Sequence, residues 1–317
     1  MPDSGPTLHR PIEAYVMGRL NIDLFALPVR TALNRAQSFE RSLGGFAGNV
    51  GTALARLGVR TAVISRVGDD GHGTFAREFL SGEGVDTSSV STDPYWPTPL
   101  AFLESWPPDR FPILYYRKPT AADLQITKAD LGLDRIAGAP LLFVSGTGFC
   151  QQPSADATLT ALEAHRHTTI LDLDYRAALW PDPVEYRDWM ARAVRHASII
   201  VGNVEEVETS QVSVPPGVPL IVKRGAAGST VHVDGTSTVL PPTRVDVING
   251  LGAGDAFCAA LGYGLLRERP LIESARFGNV AGAIVASRPS CSSSMPYEIE
   301  LIEAVATASA SSCQDRK

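Results

Sequence analysis

The chain alternates between two hydrophobic rhythms. Short β-branched runs, IEAYVMG, RTAVISRVG, APLLFVSG, TTILDLDY, ASIIVGN and VPLIVKRG, are separated by stretches with helical spacing. In one such stretch Phe46, Val50, Ala53, Leu54 and Leu57 share a single helical face. Apolar strands alternating with amphipathic helices predict an α/β fold in which a doubly wound, mostly parallel sheet is flanked by helices.

Two regions, roughly 27–43 and 93–125, break this rhythm. Prolines punctuate the second, and its runs LAFLES and PILYYRK predict antiparallel strands rather than strand–helix units. These regions are expected to form a small β-sheet lid over a ligand crevice, the alternative being a surface hairpin.

Composition narrows the partners. With 317 residues, 44% hydrophobic and 20% charged, the chain suits one globular domain spanning 1–317. A net charge of −6 provides no basic field for nucleic acid or a membrane surface, so an anionic ligand would need a local site. Cys150, Cys258, Cys291 and Cys313 lack zinc or disulfide-framework spacing, which favours reduced thiols and a cytoplasmic location. The opening MPDSGPTLHRP does not read as a signal peptide, and no run approaches the roughly 20 apolar residues of a membrane span. That opening and the tail SASSCQDRK are expected to fray.

The candidate chemistry lies in NGLGAGDAFCAALGYGLL, residues 249–266. Gly252, Ala253 and Gly254 stand where a loop feeds a helix, whose first amides lack internal partners and carry the positive end of the dipole. An anion can approach such amides closely where side chains are missing. Asp255 falls in the first turn, where dipole and backbone donors are expected to keep it ionised. This arrangement suits phosphoryl transfer to an alcohol, although a carboxylate there also serves simply to complement a helix start. Phosphate-loop GxxxxGK, HExxH and GxSxG signatures are absent from the sequence.

A second glycine-rich helix start, LGGFAGNVGTALARLG, carries Gly44, Gly45, Gly48 and Asn49. In this order and about 200 residues apart, the two stretches resemble the paired signatures of the ribokinase-like carbohydrate kinases, the PfkB group. The resemblance runs from GRLNIDLF to NVAGAIVASRP. It implies a ribokinase-like fold with a lid and ATP-dependent phosphorylation of a sugar-like alcohol with Mg2+.

Carried over by position, the resemblance makes Asp255 the catalytic base and Gly252, Ala253 and Gly254 the anion hole. Asp23, placed at the end of the first strand, Gly44, Gly45 and Asn49 become substrate contacts. Asn203 and Glu206 in VGNVEEVE match an N-x-x-E motif expected to act on magnesium through water; a solvated acidic helix start is the alternative. Lys223, Gly225, Gly228 and Asn279 fall on the nucleotide side, where a β-turn would equally explain the glycines.

The family usually writes DTxGAGD, and here Asn249, Gly250 and Leu251 precede GAGD. The N-x-L-G-A-G-D form resembles that of 5-dehydro-2-deoxygluconokinases, which act in myo-inositol breakdown, as do VISRVGDDGHG, FPILYYRKPTAAD and LDLDYRAALW. Asn249 also removes a carboxylate associated with a monovalent cation, weakening that expectation. For an acidic sugar, Arg117, Lys118 and Arg176 are candidate carboxylate anchors, against a solvated lid edge for the first two. Asp172 and Asp174 either contact ligand or orient Arg176. RPSCSSSMP, with Ser290 where glycine is usual, departs from the family pattern.

The expected activity is phosphorylation of the terminal primary hydroxyl of 5-dehydro-2-deoxy-D-gluconate. Competing readings are 2-dehydro-3-deoxygluconate, fructose or ribose as substrate, or a noncatalytic sugar-binding regulator. Lid pairing in relatives implies a homodimer.

Overall fold

The computed structural model describes residues 11–180 and 182–314. Its strands are β1 (Ala14–Met17), β2 (Asn21–Leu27), β3 (Ser38–Gly44), β4 (Thr61–Gly68), β5 (Val90–Asp93), β6 (Leu100–Leu103), β7 (Ile113–Tyr116), β8 (Leu141–Ser145), β9 (Thr168–Asp172), β10 (Ile199–Asn203), β11 (Leu220–Lys223), β12 (Ser229–Val233) and β13 (Thr236–Leu240). The α-helices are α1 (Phe46–Arg56), α2 (Gly71–Gly82), α3 (Leu133–Gly138), α4 (Ser154–Ala164), α5 (Pro183–Ala193), α6 (Val204–Ser210), α7 (Ala253–Leu266), α8 (Leu271–Ala286) and α9 (Glu298–Gln314).

Nine strands form one sheet in the order β13-β12-β11-β10-β9-β8-β1-β4-β5, parallel from β11 through β5 and antiparallel at β12 and β13. The six apolar runs read from the sequence are β1, β4, β8, β9, β10 and β11. Because side chains alternate across a strand, β1 sends Ala14 and Val16 into one core and Tyr15 and Met17 into another. Helices α1, α2, α7, α8 and α9 cover the first core, and α3, α4 and α5 cover the second. Continuous apolar strands are the consequence of burying both faces.

A separate four-stranded sheet, β3-β2-β6-β7, makes the lid. LAFLES and PILYYRK pair antiparallel as β6 and β7, as their composition predicts. The first lid boundary moves, however. The lid begins at Asn21 rather than about residue 27, because the chain leaves the main sheet after Met17 and starts β2 four residues later. Asp23 therefore stands on a lid strand and not at the end of β1, which corrects its expected position.

The expected frayed opening lies outside the described residues up to residue 10, as do residues 315–317 of the tail. The preceding tail is helical to Gln314, consistent with the alanine-rich run AVATASA and the high helix propensity of alanine. Among the described residues no helix is long and apolar enough to cross a membrane.

Packing sets the value of individual glycines. A Cβ on Gly262 of α7 would fall on the ring of fully buried Phe143, whereas one on Gly138 of α3 would meet nothing within 4 Å. Gly262→Ala is therefore expected to destabilise the fold by about 1–3 kcal/mol despite alanine's helix propensity. Gly138→Ala should stabilise it by about 0.5–1 kcal/mol. Urea denaturation of the two variants reads both signs; equal effects would contradict this packing.

Candidate active site

Helix α7 begins on a glycine because its N-cap, Gly252, takes the left-handed conformation (φ 81°) with Cys291 packed against it. The first intrahelical bond in this turn runs from the Ala256 amide to the Gly252 carbonyl, 2.9 Å. The amides of Ala253, Gly254 and Asp255 precede it and, as donors at a helix start, have no intrahelical partner.

Asp255 is half-buried in this turn, and its partner is a side chain. Asn49 of α1 donates from Nδ2 to its Oδ2 at 2.7 Å, across 206 residues of sequence. Burial first, then the Asp174 carboxylate, push the Asp255 pKa up to about 7, while the Asn49 bond works in the opposite direction. The expectation of a carboxylate kept ionised by dipole and backbone donors is thereby corrected, since desolvation and like charge outweigh the stabilising bond.

The lid presents a polar row to this turn. Ser42, Asp23, Ala101 and Tyr115 lie in register across β3, β2, β6 and β7. Asp23, Ala101 and Tyr115 line the same cavity as Asn49, Gly252 and Asp255. Asn21 Nδ2 donates to Asp23 Oδ1 at 2.6 Å, but burial still raises the Asp23 pKa to about 6. Gly44 is required by this carboxylate, which any Cβ would overlap. Gly45 (φ 84°) makes the turn into α1, with a Cβ excluded by the Arg19 carbonyl. Both glycines thus shape the start of α1, and Gly45 also lines the cavity.

The floor of the site is built from the carboxyl ends of parallel strands, where open α/β sheets place their ligand crevice. Asp172, Asn203 and Lys223 are the last residues of β9, β10 and β11. Lys223 Nζ lies 2.7 Å from Asp172 Oδ2 and would be 3.1 Å from a Cβ on Gly254. Burial is the largest influence and opposes the Lys223 charge, but Asp172, Cys258 and Glu206 together outweigh it and hold the ammonium protonated. The Cys258 thiol donates to the same carboxylate oxygen at 3.2 Å.

Beyond β9 the chain turns through Asp174 in the left-handed region (φ 36°), a conformation aspartate tolerates when its neighbours bond locally. Its amide donates to Asp172 Oδ1 at 3.2 Å. Arg176 and Arg19 flank the Asp174 carboxylate at 2.8 Å and 3.6 Å, and Thr147 donates to it at 2.6 Å. Burial disfavours that charge, but the two guanidinium groups overcome it and keep the pKa below the usual range. Arg19, Arg176 and Asp174 all line the cavity, so two guanidinium groups face it beside the carboxylates.

Other expected residues go elsewhere. Arg117 is buried in an ion pair with Asp123 and Lys118 is exposed, and neither lines the cavity. Asp123 takes the Arg117 charge inward. Asn203 and Glu206 form a reciprocal capping box on α6, with bonds of 2.7 and 2.8 Å. Glu206 also meets Arg176 at 3.3 Å, and burial raises its pKa to about 7. Gly225 (φ 53°) and Gly228 (φ 82°) form the turn between β11 and β12. Gly228 is pressed against the Leu240 carbonyl, and Asn279 of α8 donates to the Pro241 carbonyl at 3.0 Å, so both brace one segment. Among the described residues no group of three or more His, Cys, Asp or Glu side chains is arranged to hold a metal ion.

Sequence reasoning missed Arg19 and Asn21, although GRLNIDLF carries both; their place just beyond a parallel strand was the available signal. It also missed the serine loop. Ser292 donates to Asn49 Oδ1 at 2.6 Å, and Ser293 bonds Ser42 of the lid at 3.2 Å. Asn249 donates to the Pro289 carbonyl at 3.1 Å and accepts from the Leu251 amide at 3.1 Å, which clamps this loop to the glycine turn.

Comparison with known proteins agrees with this geometry. Residues 12–298 match the pfkB family of carbohydrate kinases. The 5-dehydro-2-deoxygluconokinase of Clostridium tetani is 32% identical over 313 residues, covering 92% of both chains. That of Geobacillus kaustophilus is 33% identical over 307 residues, covering 90% of this chain and 91% of its own. An uncharacterized sugar kinase from Pyrococcus horikoshii, solved in complex with ATP, superposes with a TM-score of 0.83 at 26% identity, over 92% of this chain and 97% of its own. A putative ribokinase II from E. coli shares the fold with a TM-score of 0.85 at 19% identity, over 93% of this chain and 99% of its own.

The raised pKa of Asp255 has a consequence for stability. Its folded value of about 7 exceeds the ordinary 3.8, so between these values the folded state binds more protons and this group's contribution falls as pH rises. Asp255→Asn removes that penalty. The variant is expected to melt about 2–4 °C above the parent at pH 8 and by a smaller margin at pH 5, nearer the ordinary carboxylate value. Thermal melts at the two pH values measure it, and an equal offset at both would contradict the assignment.

Proposed function

The chain belongs to the pfkB family of carbohydrate kinases, and on that premise we propose that it transfers the γ-phosphoryl group of ATP to the terminal primary hydroxyl of 5-dehydro-2-deoxy-D-gluconate. The observation carrying this reading is one cavity that joins Asp255 at the start of α7 to the guanidinium groups of Arg19 and Arg176. The first supplies kinase chemistry and the second the charge complement of an acidic sugar. The names of the Clostridium and Geobacillus relatives support the same substrate.

In this mechanism Asp255 accepts the hydroxyl proton as the substrate oxygen bonds to phosphorus and the ADP oxygen leaves. The amides of Ala253 and Gly254 hold the charge developing on the transferring group. A carboxylate with a pKa of about 7 is suited to this task, because it is substantially ionised at neutral pH yet basic enough to retain the proton. Asp23, oriented by Asn21 on the inner lid face, accepts from substrate hydroxyls, while Asn49 donates to the attacking one. Gly44 and Gly45 contribute by permitting that geometry.

Lys223 stands beneath Gly254 and adds a fixed positive charge on the phosphate side, with Gly225, Gly228 and Asn279 shaping the nucleotide wall. Magnesium would be held chiefly by nucleotide phosphates and its own waters, with Glu206 and Asn203 reaching it through water. The raised pKa of Glu206 fits a carboxylate that gains from a nearby cation. When bound, the ion neutralises phosphate charge.

The catalytic unit proposed is the whole chain, 1–317. Its lid carries an apolar outer face, where Phe102 meets Phe39 at 5.4 Å and Tyr116 at 5.2 Å edge to face, and this supports a homodimer through the lid.

ADP release with magnesium and ATP should favour 5-dehydro-2-deoxygluconate over 2-dehydro-3-deoxygluconate, fructose and ribose. Preference for a neutral sugar would overturn the role of Arg19 and Arg176; binding of sugar without turnover would point to a regulator. Asp255→Asn is expected to lower kcat by about 10²–10⁴-fold while sugar binding persists. In the parent, kcat/KM for sugar should rise with pH along a limb centred near 7, as Asp255 ionises.

A further inference from the structure

We propose that Ser292 is a positioning residue for the proton acceptor, fixing which end of the Asn49 carboxamide faces Asp255. This rests on the reading of Asp255 as the base. A carboxamide offers two donors at one end and an acceptor at the other, so its orientation decides what the carboxylate meets. Ser292 donates to Asn49 Oδ1 at 2.6 Å, and Asn49 Nδ2 donates to Asp255 Oδ2 at 2.7 Å. The relay runs through buried atoms, with Ser292 fully enclosed and Asn49 only 4% exposed.

Burial gives the relay its direction. Were Ser292 to accept from a reversed amide, its own O–H would be left enclosed without a partner, at a cost its donor arrangement avoids. The reversed amide would turn Oδ1 toward Asp255 and accept a bond from the protonated carboxyl, stabilising the form that cannot take a proton. By holding Oδ1, Ser292 disfavours that state. The second Nδ2 hydrogen remains available for the attacking hydroxyl.

The serine is itself anchored. Ser293 bonds lid residue Ser42, Asn249 grips the Pro289 carbonyl, and Arg56 donates to the carbonyls of Ser293 and Met295 at 3.0 and 2.7 Å. The segment RPSCSSSMP, which departs from the family pattern, thus joins lid, glycine turn and Asn49. The other groups acting on Asp255 are Asp172 and Asp174 at the end of β9, Lys223 of β11, Arg176, Cys258 of α7 and Cys291. Ser292→Ala changes none of them.

The test is the pH profile of turnover with magnesium, ATP and the sugar acid for Ser292→Ala and Ser292→Cys, with Asp255→Asn alongside. In Ser292→Ala the acidic limb should move to higher pH, with kcat about tenfold lower at pH 7 and the deficit closing by pH 9. KM for ATP should stay unchanged. Ser292→Cys, a weaker donor of similar volume, should shift the limb the same way by less, and carries the test alone if the alanine variant does not fold. A limb that stays in place, or a loss equal at every pH, overturns the proposal while leaving Asp255 as base if Asp255→Asn is inactive. Near-normal turnover by Asp255→Asn overturns both.

Discussion

The site depends on the meeting of two helix starts, α1 and α7, across one side-chain bond between Asn49 and Asp255. Each helix begins at a glycine with positive φ, Gly45 and Gly252, so the chain turns into each helix too tightly for an ordinary side chain. Small residues clear the backbone, and the only groups left to define chemistry are the amides and these two side chains. The parallel sheet supplies the rest by ending its strands in charge beneath them.

That charge has to be compensated, and the compensation sorts the carboxylates into roles. Asp172 and Asp174 are held in direct ion pairs by Lys223, Arg19 and Arg176, whereas Asp23 and Asp255 hydrogen-bond side-chain amides and feel Arg19 and Lys223 only from farther away. Burial raises the second pair to about 6 and about 7, whereas Arg176 and Arg19 hold the Asp174 pKa down against it. Groups whose environments drive their pKa values apart are those able to divide structural and proton-handling work. Lys223 serves both sets, paired to Asp172 while pressed toward Gly254. Removing either partner of that buried pair would strand the other charge, at a cost of about 3–5 kcal/mol.

Much of this was legible in sequence because it follows from period and from glycine. Six of the seven parallel strands of the main sheet were visible as apolar runs since both of their faces are buried, and GAGD was visible because the left-handed N-cap of α7 needs glycine there. The lid hairpin showed through its prolines. What escaped was contact across long separations. LNIDLF continues the apolar pattern of β1, and periodicity alone cannot register that the chain changes sheets after Met17. Arg117 and Arg19 look equally available as cations; only the fold turns one toward Asp123 and the other toward Asp174. The N-x-x-E motif likewise carries a capping function that its spacing foretells and a neighbour, Arg176, that it does not.

The two departures from the family pattern, at Asn249 and in the serine loop, are joined by one physical requirement. Asn249 uses both ends of its carboxamide, donating to the Pro289 carbonyl and accepting from the Leu251 amide. An ionised aspartate has acceptors only, and would keep the second bond while facing the Pro289 carbonyl without a donor. The asparagine is fully enclosed, so that mismatch could not be relieved by water. Asparagine at 249 therefore goes with a loop brought close enough to be held, and a loop held there places Cys291 against Gly252 and Ser292 against Asn49. Changes that look independent in the sequence are two sides of the same contact, and the contact ends at the Asn49–Asp255 bond.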